Sequence, residues 1–159
     1  MGQEDSGMTP REFVEIELKL VETMFDRQKE IYPMFVIIKD KKRALVPVQI
    51  TNNVQKEIVA QSIKDLVKRS EPDVVVFIAE AWIAIITGKL DRIPLPHESA
   101  SRFEVVAVHI EFKTGEKYGC EARITRNPGE LPRLGPWDIN DAGHSMGRFC
   151  DFFPIKGYN

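Results

Sequence analysis

The segment Asp73–Thr87 constrains the fold more than any other part of this sequence. Its residues are apolar at both alternating positions and rich in valine and isoleucine. Since strands buried on both faces carry runs of this kind, the segment predicts a long strand in the middle of a sheet. Glu80 interrupts the run, which is too short to cross a bilayer as a helix. We therefore expect no membrane partner.

The first helix has a well-defined start. Thr9 lies in the N-cap position, Pro10 takes the first helical position and Glu12 completes a capping box. After it, polar residues recur at spacings of three and four, and apolar residues cover most of the remaining circumference. That apolar surface is wider than one sheet usually covers. Either the rest of the chain wraps this helix, or the helix also contacts a second subunit.

A first hairpin and a second helix follow. Pro33–Lys39 and Ala44–Ile50 are short β-rich runs on either side of the basic turn Asp40–Arg43. Thr51–Asn53 supplies N-cap residues for a helix that continues to about Ser70. No aromatic residues are interleaved with the basic turn, so we interpret it as a solvated hairpin tip and expect no specific nucleic-acid contact.

A second hairpin is the clearest local pattern in the chain. Phe103–Lys113 and Lys117–Arg126 are its strands, with Thr114–Glu116 as a three-residue loop. This register pairs Phe112 with Tyr118, Ile110 with Cys120, Val108 with Ala122 and Val106 with Ile124. A register shifted by one residue would set those apolar side chains against polar ones, so burial favours this pairing.

Together these elements predict an α+β fold of one domain, in the order α-β-β-α-β-β-β. We expect an antiparallel-dominated sheet of about five strands, with the two helices sharing one face. Residues 1–9 are expected to form a flexible tail and residues 10–126 the domain. Residues 127–159, rich in Gly and Pro, are expected to form a long irregular arm packed on the domain or on a partner. Within the arm, Arg148–Ile155 has the composition of a strand.

Charge limits the classes of partner. A net charge of −2 gives no global field that would recruit nucleic acid or an anionic membrane. Residues 1–30 carry eight acidic and four basic residues, whereas residues 39–69 carry three acidic and eight basic ones. The two segments could lie side by side in the fold, or each could be solvated independently. Two cysteines and the acidic, polar start Met1–Gly7 are typical of a cytoplasmic protein with reduced thiols.

Residues 143–147 read Gly-His-Ser-Met-Gly, which matches the G-x-S-x-G nucleophile elbow of α/β-hydrolases in letters. The order of the hydrolase triad is Ser, then an acid, then His, but after Ser145 the sequence has one acid, Asp151, and no histidine. The flanking residues also lack the strand and helix that the elbow requires. We therefore interpret the match as a coincidence and assign no catalytic role to Ser145.

A polar cluster on the sheet is the best internal candidate for a site. In the predicted hairpin register, His109 lies opposite Glu121, with Glu111 and Arg123 as neighbours on the same face. If the central strand is adjacent, Glu80 could join them, and a histidine between carboxylates could act as a base or bind a metal. Ordinary cross-strand charge pairing explains the same residues without any function.

Metal and cofactor motifs are incomplete or missing from the sequence. His97-Glu98 is followed by Ser101 where a second histidine would complete the H-E-x-x-H motif. Cys120 and Cys150 are too far apart in sequence for a C-x-x-C site, and no glycine spacing matches a phosphate-binding loop. We predict neither a metal site nor a cofactor.

Three segments carry a resemblance to a known family. Phe77–Trp82, which contains Glu-Ala-Trp, resembles the E-A-W strand of a family of small bacterial and phage proteins. His97–Ser99 resembles the loop that follows this strand in the family, and Arg102–Val106 resembles its R-x-E-V strand. The resemblance covers roughly residues 54–126 and implies an α+β fold. That family has no established activity, so it implies no catalytic residue. It makes Glu80 and Trp82 the first residues to test.

From these features we predict a non-catalytic binding or assembly module, with a second copy of the chain as its expected partner, through the first helix or the arm. The alternative is a small hydrolase that uses the cluster of Glu80, His109, Glu121 and Arg123. An enzyme should have a concave site that joins Glu80 to His109. A module should lack such a site and form a dimer.

Overall fold

A computed structural model describes residues 7–84, 102–141 and 151–153. The described part contains two helices and one antiparallel sheet of six strands, which confirms the α+β class and adds one strand to the predicted five. In chain order the elements are α1 (Pro10–Gln28), β1 (Met34–Lys39), β2 (Lys42–Pro47), α2 (Asn53–Ser70), β3 (Val74–Ala84), β4 (Arg102–Phe112), β5 (Lys117–Thr125) and β6 (Arg133–Asn140). Neither helix is long and apolar enough to cross a membrane.

Both helices begin where their cap residues predict. The side chain of Thr9 accepts the N–H of Glu12 at 3.1 Å, and the side chain of Glu12 accepts the N–H of Thr9 at 3.1 Å. This reciprocal pair completes the capping box of α1. The N-cap of α2 is Asn52, whose side chain accepts the N–H of Gln55 at 2.8 Å. Side chains therefore satisfy orphan donors at both N-termini.

The sheet has the strand order β2-β1-β3-β4-β5-β6, so β3 lies between β1 and β4 as its sequence predicts. The two edges are β2 and β6. Strand β6 lies in the segment that we expected to be irregular, whereas residues 151–153, within the suggested strand Arg148–Ile155, are not in a strand. β6 pairs with β5 across a register shift between Ala122 and Ile124.

The two helices lie on opposite faces of the sheet, so the prediction that they share one face is wrong. α1 packs through Val14, Leu18, Val21 and Phe25 against strand residues that include Val76 of β3. α2 packs through Ala60, Ile63 and Val67 against strand residues that include Phe77 of β3. A central strand that is apolar on both faces needs a cover on each. We call the two surfaces the α1 face and the α2 face.

The register of the β4–β5 hairpin differs by two residues from the prediction. Val108 is opposite Cys120, and Ile110 is opposite Tyr118. The three-residue loop is Lys113–Gly115, because the N–H of Phe112 donates to the carbonyl of Glu116 at 3.0 Å. Gly115 has φ of +112°, which favours glycine at the end of this loop. A shift of two residues keeps each side chain on its predicted face, so burial alone does not distinguish the two registers.

Candidate functional site

The predicted polar cluster is divided between the two faces. Glu80 is opposite Val106, a core residue of the α1 face, and Trp82 shares that face because it is two residues further along β3. His109 is opposite Phe77, a core residue of the α2 face. Glu121 and Arg123 lie on the α2 face with His109, but Gly119, not Glu121, is opposite the histidine. The sheet therefore separates Glu80 from His109.

Glu80 has internal partners. Its Oε2 accepts the N–H of Ile31 at 2.8 Å, and its Oε1 lies 3.6 Å from the guanidinium of Arg126. Arg126 also donates from Nε to Glu104 at 2.7 Å, and this bond raises the pKa of the guanidinium above its ordinary value. Glu80 thus ties the chain after α1 to β3, and these contacts compensate a carboxylate inside an apolar strand.

Trp82 is an exposed aromatic residue on the same face as Glu80. The guanidinium of Arg102 lies over its ring, 4.8 Å from the centroid. Such a cation–π contact is favourable. Trp82 is opposite Glu104, the residue that also binds Arg126.

His109 and Glu111 form a buried pair on β4, and each is only 1% exposed. Nε2 of His109 lies 2.6 Å from Oε2 of Glu111. Glu111 also accepts the backbone N–H groups of Asp151 at 2.5 Å and Phe152 at 2.9 Å. A carboxylate that accepts two amides is ionised, so we assign the shared hydrogen to Nε2 of the histidine.

The segment 151–153 docks at this pair. Phe152 is buried and packs edge-on against Phe35, with ring centroids 5.4 Å apart, and its ring also contacts His109. Asp151 forms an ion pair with Lys117 of β5. We call the surface formed by Phe35, His109, Glu111 and Lys117 the arm site. Beside it, a cleft of about 450 Å³ lies between Phe153, the end of α2 and the β4–β5 turn.

Competing effects set the ionisation of Glu111. Burial alone would raise its pKa, but the hydrogen bond and charge of His109, together with the amides of Phe152 and Asp151, lower the pKa below its ordinary value. Nδ1 of His109 has no hydrogen-bond partner among the described residues. A histidine–carboxylate pair can serve as a general base, but that role needs access to a substrate. At 1% exposure this pair can hold the docked segment, and a substrate cannot reach it.

Glu121 and Arg123 lie beyond the part of the α2 face that the helix covers. The guanidinium of Arg123 lies 3.8 Å from the ring centroid of Phe103. Glu121 is half-buried and is opposite Asp138 on β6. Neither side chain forms a hydrogen bond with His109 among the described residues, so the histidine is not held between Glu111 and Glu121.

α1 presents a second surface. Its exposed residues Glu12, Ile16, Leu20, Thr23 and Arg27 recur at spacings of three and four and form one line along the helix. We call this line the outer seam. Ile16 is 47% exposed and Leu20 is 46% exposed. Beside the seam, a groove of about 400 Å³ separates α1 from β6, with Trp137 on its wall; Nε1 of Trp137 donates to Glu22 at 2.8 Å.

The remaining candidates carry no site in the described part of the chain. Burial raises the pKa of the Cys120 thiol to about 12, which keeps it protonated and unreactive. Within residues 7–84, 102–141 and 151–153, no three His, Cys, Asp or Glu side chains are arranged to hold a metal ion. The G-x-S-x-G match with Ser145, His97 and Cys150 all lie outside the described residues.

Sequence reasoning expected the arm 127–159 to pack on the domain or on a partner, but it missed the role of Glu111 as the residue that binds segment 151–153. It identified Glu111 only as a neighbour of His109 on one face. The available signal was Asp151-Phe152-Phe153, two consecutive large apolar residues after a stretch dense in glycine and proline. Such a pair in a long loop indicates a segment that packs against the domain.

The chain matches no family model, no curated protein and no solved structure. The resemblance to the family with the E-A-W strand therefore stays a prediction. Function must be argued from the arm site, the outer seam and the contacts around Glu80.

Proposed function

We propose that this chain is a non-catalytic assembly module that binds a second copy of itself through the outer seam of α1. The observation that carries the proposal is the exposed apolar pair Ile16 and Leu20 in the middle of that seam. These residues lie four positions apart on a helix whose opposite side is already buried in the core. Clustered apolar side chains on a surface mark sites of protein contact.

The α1 face carries more exposed apolar residues than the helix pair alone. Leu45 of β2 is exposed and lies on this face, because its partner on β1 is the core residue Val36. Trp137 and Ile139 line the groove on the other side of the helix. A partner seated on the seam can therefore extend its contact across both flanks, as the area of a stable dimer requires.

The charges of the seam are self-complementary. It begins with the acidic Glu12 and ends with the basic Arg27, both exposed. In an antiparallel pair of helices related by a two-fold axis beside Leu20, Glu12 of each copy lies opposite Arg27 of the other. The same arrangement brings the apolar centre of both seams together. An isologous contact of this kind closes as a dimer.

The hydrolase alternative has less support. It required Glu80 and His109 to converge, but the sheet lies between them and His109 is 1% exposed. The contacts of both residues have structural roles, in the attachment of the chain after α1 and of segment 151–153. A binding role accounts for the exposed residues, whereas catalysis by this cluster would need a different arrangement of strands.

The test is the solution mass of the chain with Ile16→Glu and Leu20→Glu together. The unsubstituted chain is expected to have the mass of a dimer by light scattering, and the double variant that of a monomer. Two buried glutamates on each side of a two-fold interface would face like charges, which is strongly unfavourable. We expect the dissociation constant to rise at least about 100-fold, which corresponds to about 2.7 kcal/mol.

α2 offers a matched control. Val54 and Ile58 are also four residues apart and are 69% and 59% exposed, on the opposite face of the sheet. Val54→Glu with Ile58→Glu should leave the mass of the dimer unchanged. A monomeric unsubstituted chain, or a dimer lost only with the α2 variant, would contradict the proposed interface.

A further inference from the structure

Two exposed aromatic residues lie beyond the C-terminal end of α1. Tyr32, four residues after the helix, is 60% exposed, and Trp82 of β3 is 43% exposed. Polar partners orient both rings. The hydroxyl of Tyr32 donates to Glu30 at 2.9 Å, and the guanidinium of Arg102 lies over the ring of Trp82. Tyrosine and tryptophan are enriched at the centres of protein interfaces. We call Tyr32 and Trp82 the aromatic pair.

α1 runs along β3 and ends before it reaches Trp82. Near the start of the helix, Phe13 packs against Phe112, which is opposite Val74, the first residue of β3. After the end of the helix, a backbone N–H of the chain donates to Glu80, six residues further along the same strand. Trp82 lies two residues beyond that contact, about 7 Å further along β3. The helix therefore does not extend over the aromatic pair.

The other end of α1 carries an exposed apolar residue. Met8 is 54% exposed and directly precedes the N-cap Thr9. The two hydrogen bonds between Thr9 and Glu12 fix the direction in which the chain enters the helix. The side chain of methionine adapts to irregular surfaces, and its sulfur makes favourable contacts with aromatic rings. Met8 is therefore suited to an aromatic partner.

The seam contact brings these two ends together. In the antiparallel pair of helices, Glu12 of one copy lies opposite Arg27 of the other. Met8 is four residues before Glu12, so it lies about 6 to 13 Å further along the axis, the lower value for a helical chain and the higher for an extended one. α1 of the other copy ends at Gln28, one residue after Arg27. Met8 therefore lies past the end of that helix, on the side of the aromatic pair.

Charge favours the same arrangement. Glu30 is exposed and follows the C-cap Lys29 of α1. In the antiparallel pair, the N-terminus of the other helix lies next to this carboxylate. A helix N-terminus carries a partial positive charge, because its first N–H groups have no acceptor within the helix, and a nearby carboxylate stabilises it. Glu30 therefore attracts the end of the helix that carries Met8.

We propose that the aromatic pair of each molecule binds Met8 of the second copy with which it forms the seam. This inference rests on the seam dimer and names the residues that complete it at both ends of the helix pair. The two-fold axis produces the contact twice, and in the dimer it covers apolar side chains that the fold leaves exposed. A contact at each end also fixes the register of the helices, because a shift along the axis would separate Met8 from the aromatic pair.

A mutant cycle on the full chain tests the contact. Met8→Ala should raise the dissociation constant of the dimer about 10-fold, measured by light scattering of a dilution series. In a chain that already carries Tyr32→Ala and Trp82→Ala, the same substitution should raise it by less than about 2-fold, because the partner of Met8 is absent. Equal effects of Met8→Ala in the two chains would mean that Met8 acts on its own helix alone, and would overturn the contact.

Disulfide cross-linking tests the proximity directly. Two full-length variants carry Met8→Cys or Tyr32→Cys, each with Cys150→Ser, so that the buried Cys120 is the remaining natural thiol. Under mild oxidation, an equimolar mixture should form a covalent dimer that contains one chain of each variant. The control mixture pairs Met8→Cys with Val54→Cys, which is exposed on α2, and should form none.

The outcomes separate this inference from the seam proposal. A dimer that forms the cross-link and shows the coupling supports both. If the unsubstituted chain is a dimer but shows neither the cross-link nor the coupling, the contact of Met8 is refuted and the seam remains. An unsubstituted chain with the mass of a monomer refutes the seam, and the contact of Met8 with it.

Discussion

Two buried carboxylates, one on each face of the sheet, are compensated in different ways. Glu17 of α1 is 2% exposed and is bound by the guanidinium of Arg43 at 2.5 and 2.7 Å. Glu111 of β4 is 1% exposed and is bound by His109 and by the amides of segment 151–153. On the α1 face one flexible cation compensates the charge, and on the α2 face an imidazole and two backbone dipoles share it.

The difference decides what each carboxylate holds in place. Arg43 lies on the edge strand β2 and its side chain is 36% exposed, so it can turn towards water if Glu17 is altered. The hydrogen bonds that Arg43 donates to Glu17 raise the pKa of its guanidinium above its ordinary value. The groups around Glu111 have less freedom, because His109, Phe152 and the hydrogen bond from the amide of Phe152 are buried. Glu17 fastens an edge strand to a helix, whereas Glu111 fastens a remote segment to the domain.

The largest effect that separates the two carboxylates is expected for Glu111→Gln. The substitution removes the charge and one acceptor while His109 and the amide of Phe152 remain buried. Removal of one partner from a buried, hydrogen-bonded pair is strongly destabilising. We expect the free energy of unfolding in urea to fall by about 3 kcal/mol. Glu121→Gln, on the same face but half-buried, is the control and should change it by less than about 0.5 kcal/mol.

A smaller effect is expected for Glu17→Gln. The glutamine keeps one acceptor for Arg43, and the guanidinium can regain water because it is partly exposed. We expect a loss of about 1 kcal/mol, measured under the same urea conditions. If Glu17→Gln destabilised the chain as much as Glu111→Gln, the distinction between a relaxing cation and fixed amides would be wrong.

The general architecture followed from local sequence signals. The capping box at Thr9, the apolar run of β3 and the alternation of β4 and β5 each depend on a few neighbouring residues, and the structure confirms the elements they predict. β6 was not predicted, because Gly135 and Pro136 are typical of a loop. In the structure its pairing with β5 is interrupted by the register shift between Ala122 and Ile124. An edge strand tolerates a proline that a central strand would not.

Whether the candidate site residues lie together depends on the alignment of β3 with β4, which neighbouring residues in the sequence do not determine. Phe77 is opposite His109 and Glu80 is opposite Val106, so Glu80 and His109 point to opposite faces. A register changed by one residue would have put them on the same face, because side chains alternate with a period of two. No sequence pattern fixes the alignment of β3 with β4. Nor does one indicate that Glu111 binds amides forty residues away.

The smallest expected effect is a pH dependence of the unfolding free energy, caused by Glu111 on the α2 face. The folded-state pKa of Glu111 lies below its ordinary value of 4.5, so this group stabilises the folded state fully above that value. Its contribution should be lost as pH falls from 4.5 through the folded-state pKa. The loss should be smaller than that of Glu111→Gln, because protonation keeps the shape of the side chain and both of its oxygens.

Other carboxylates also contribute to acid unfolding, so the measurement must be a difference. Lys113 and the amide of Asp40 lower the pKa of Asp73, which acts in the same direction as Glu111. The measurement is urea unfolding of the unsubstituted chain and of Glu111→Gln between pH 7 and pH 3. The difference between the two chains gives the contribution of Glu111 to the unfolding free energy. The difference in unfolding free energy between the two chains should be constant above about pH 5.5 and shrink below 4.5. A difference that stays constant down to pH 3 would mean that an ionised Glu111 does not hold the segment.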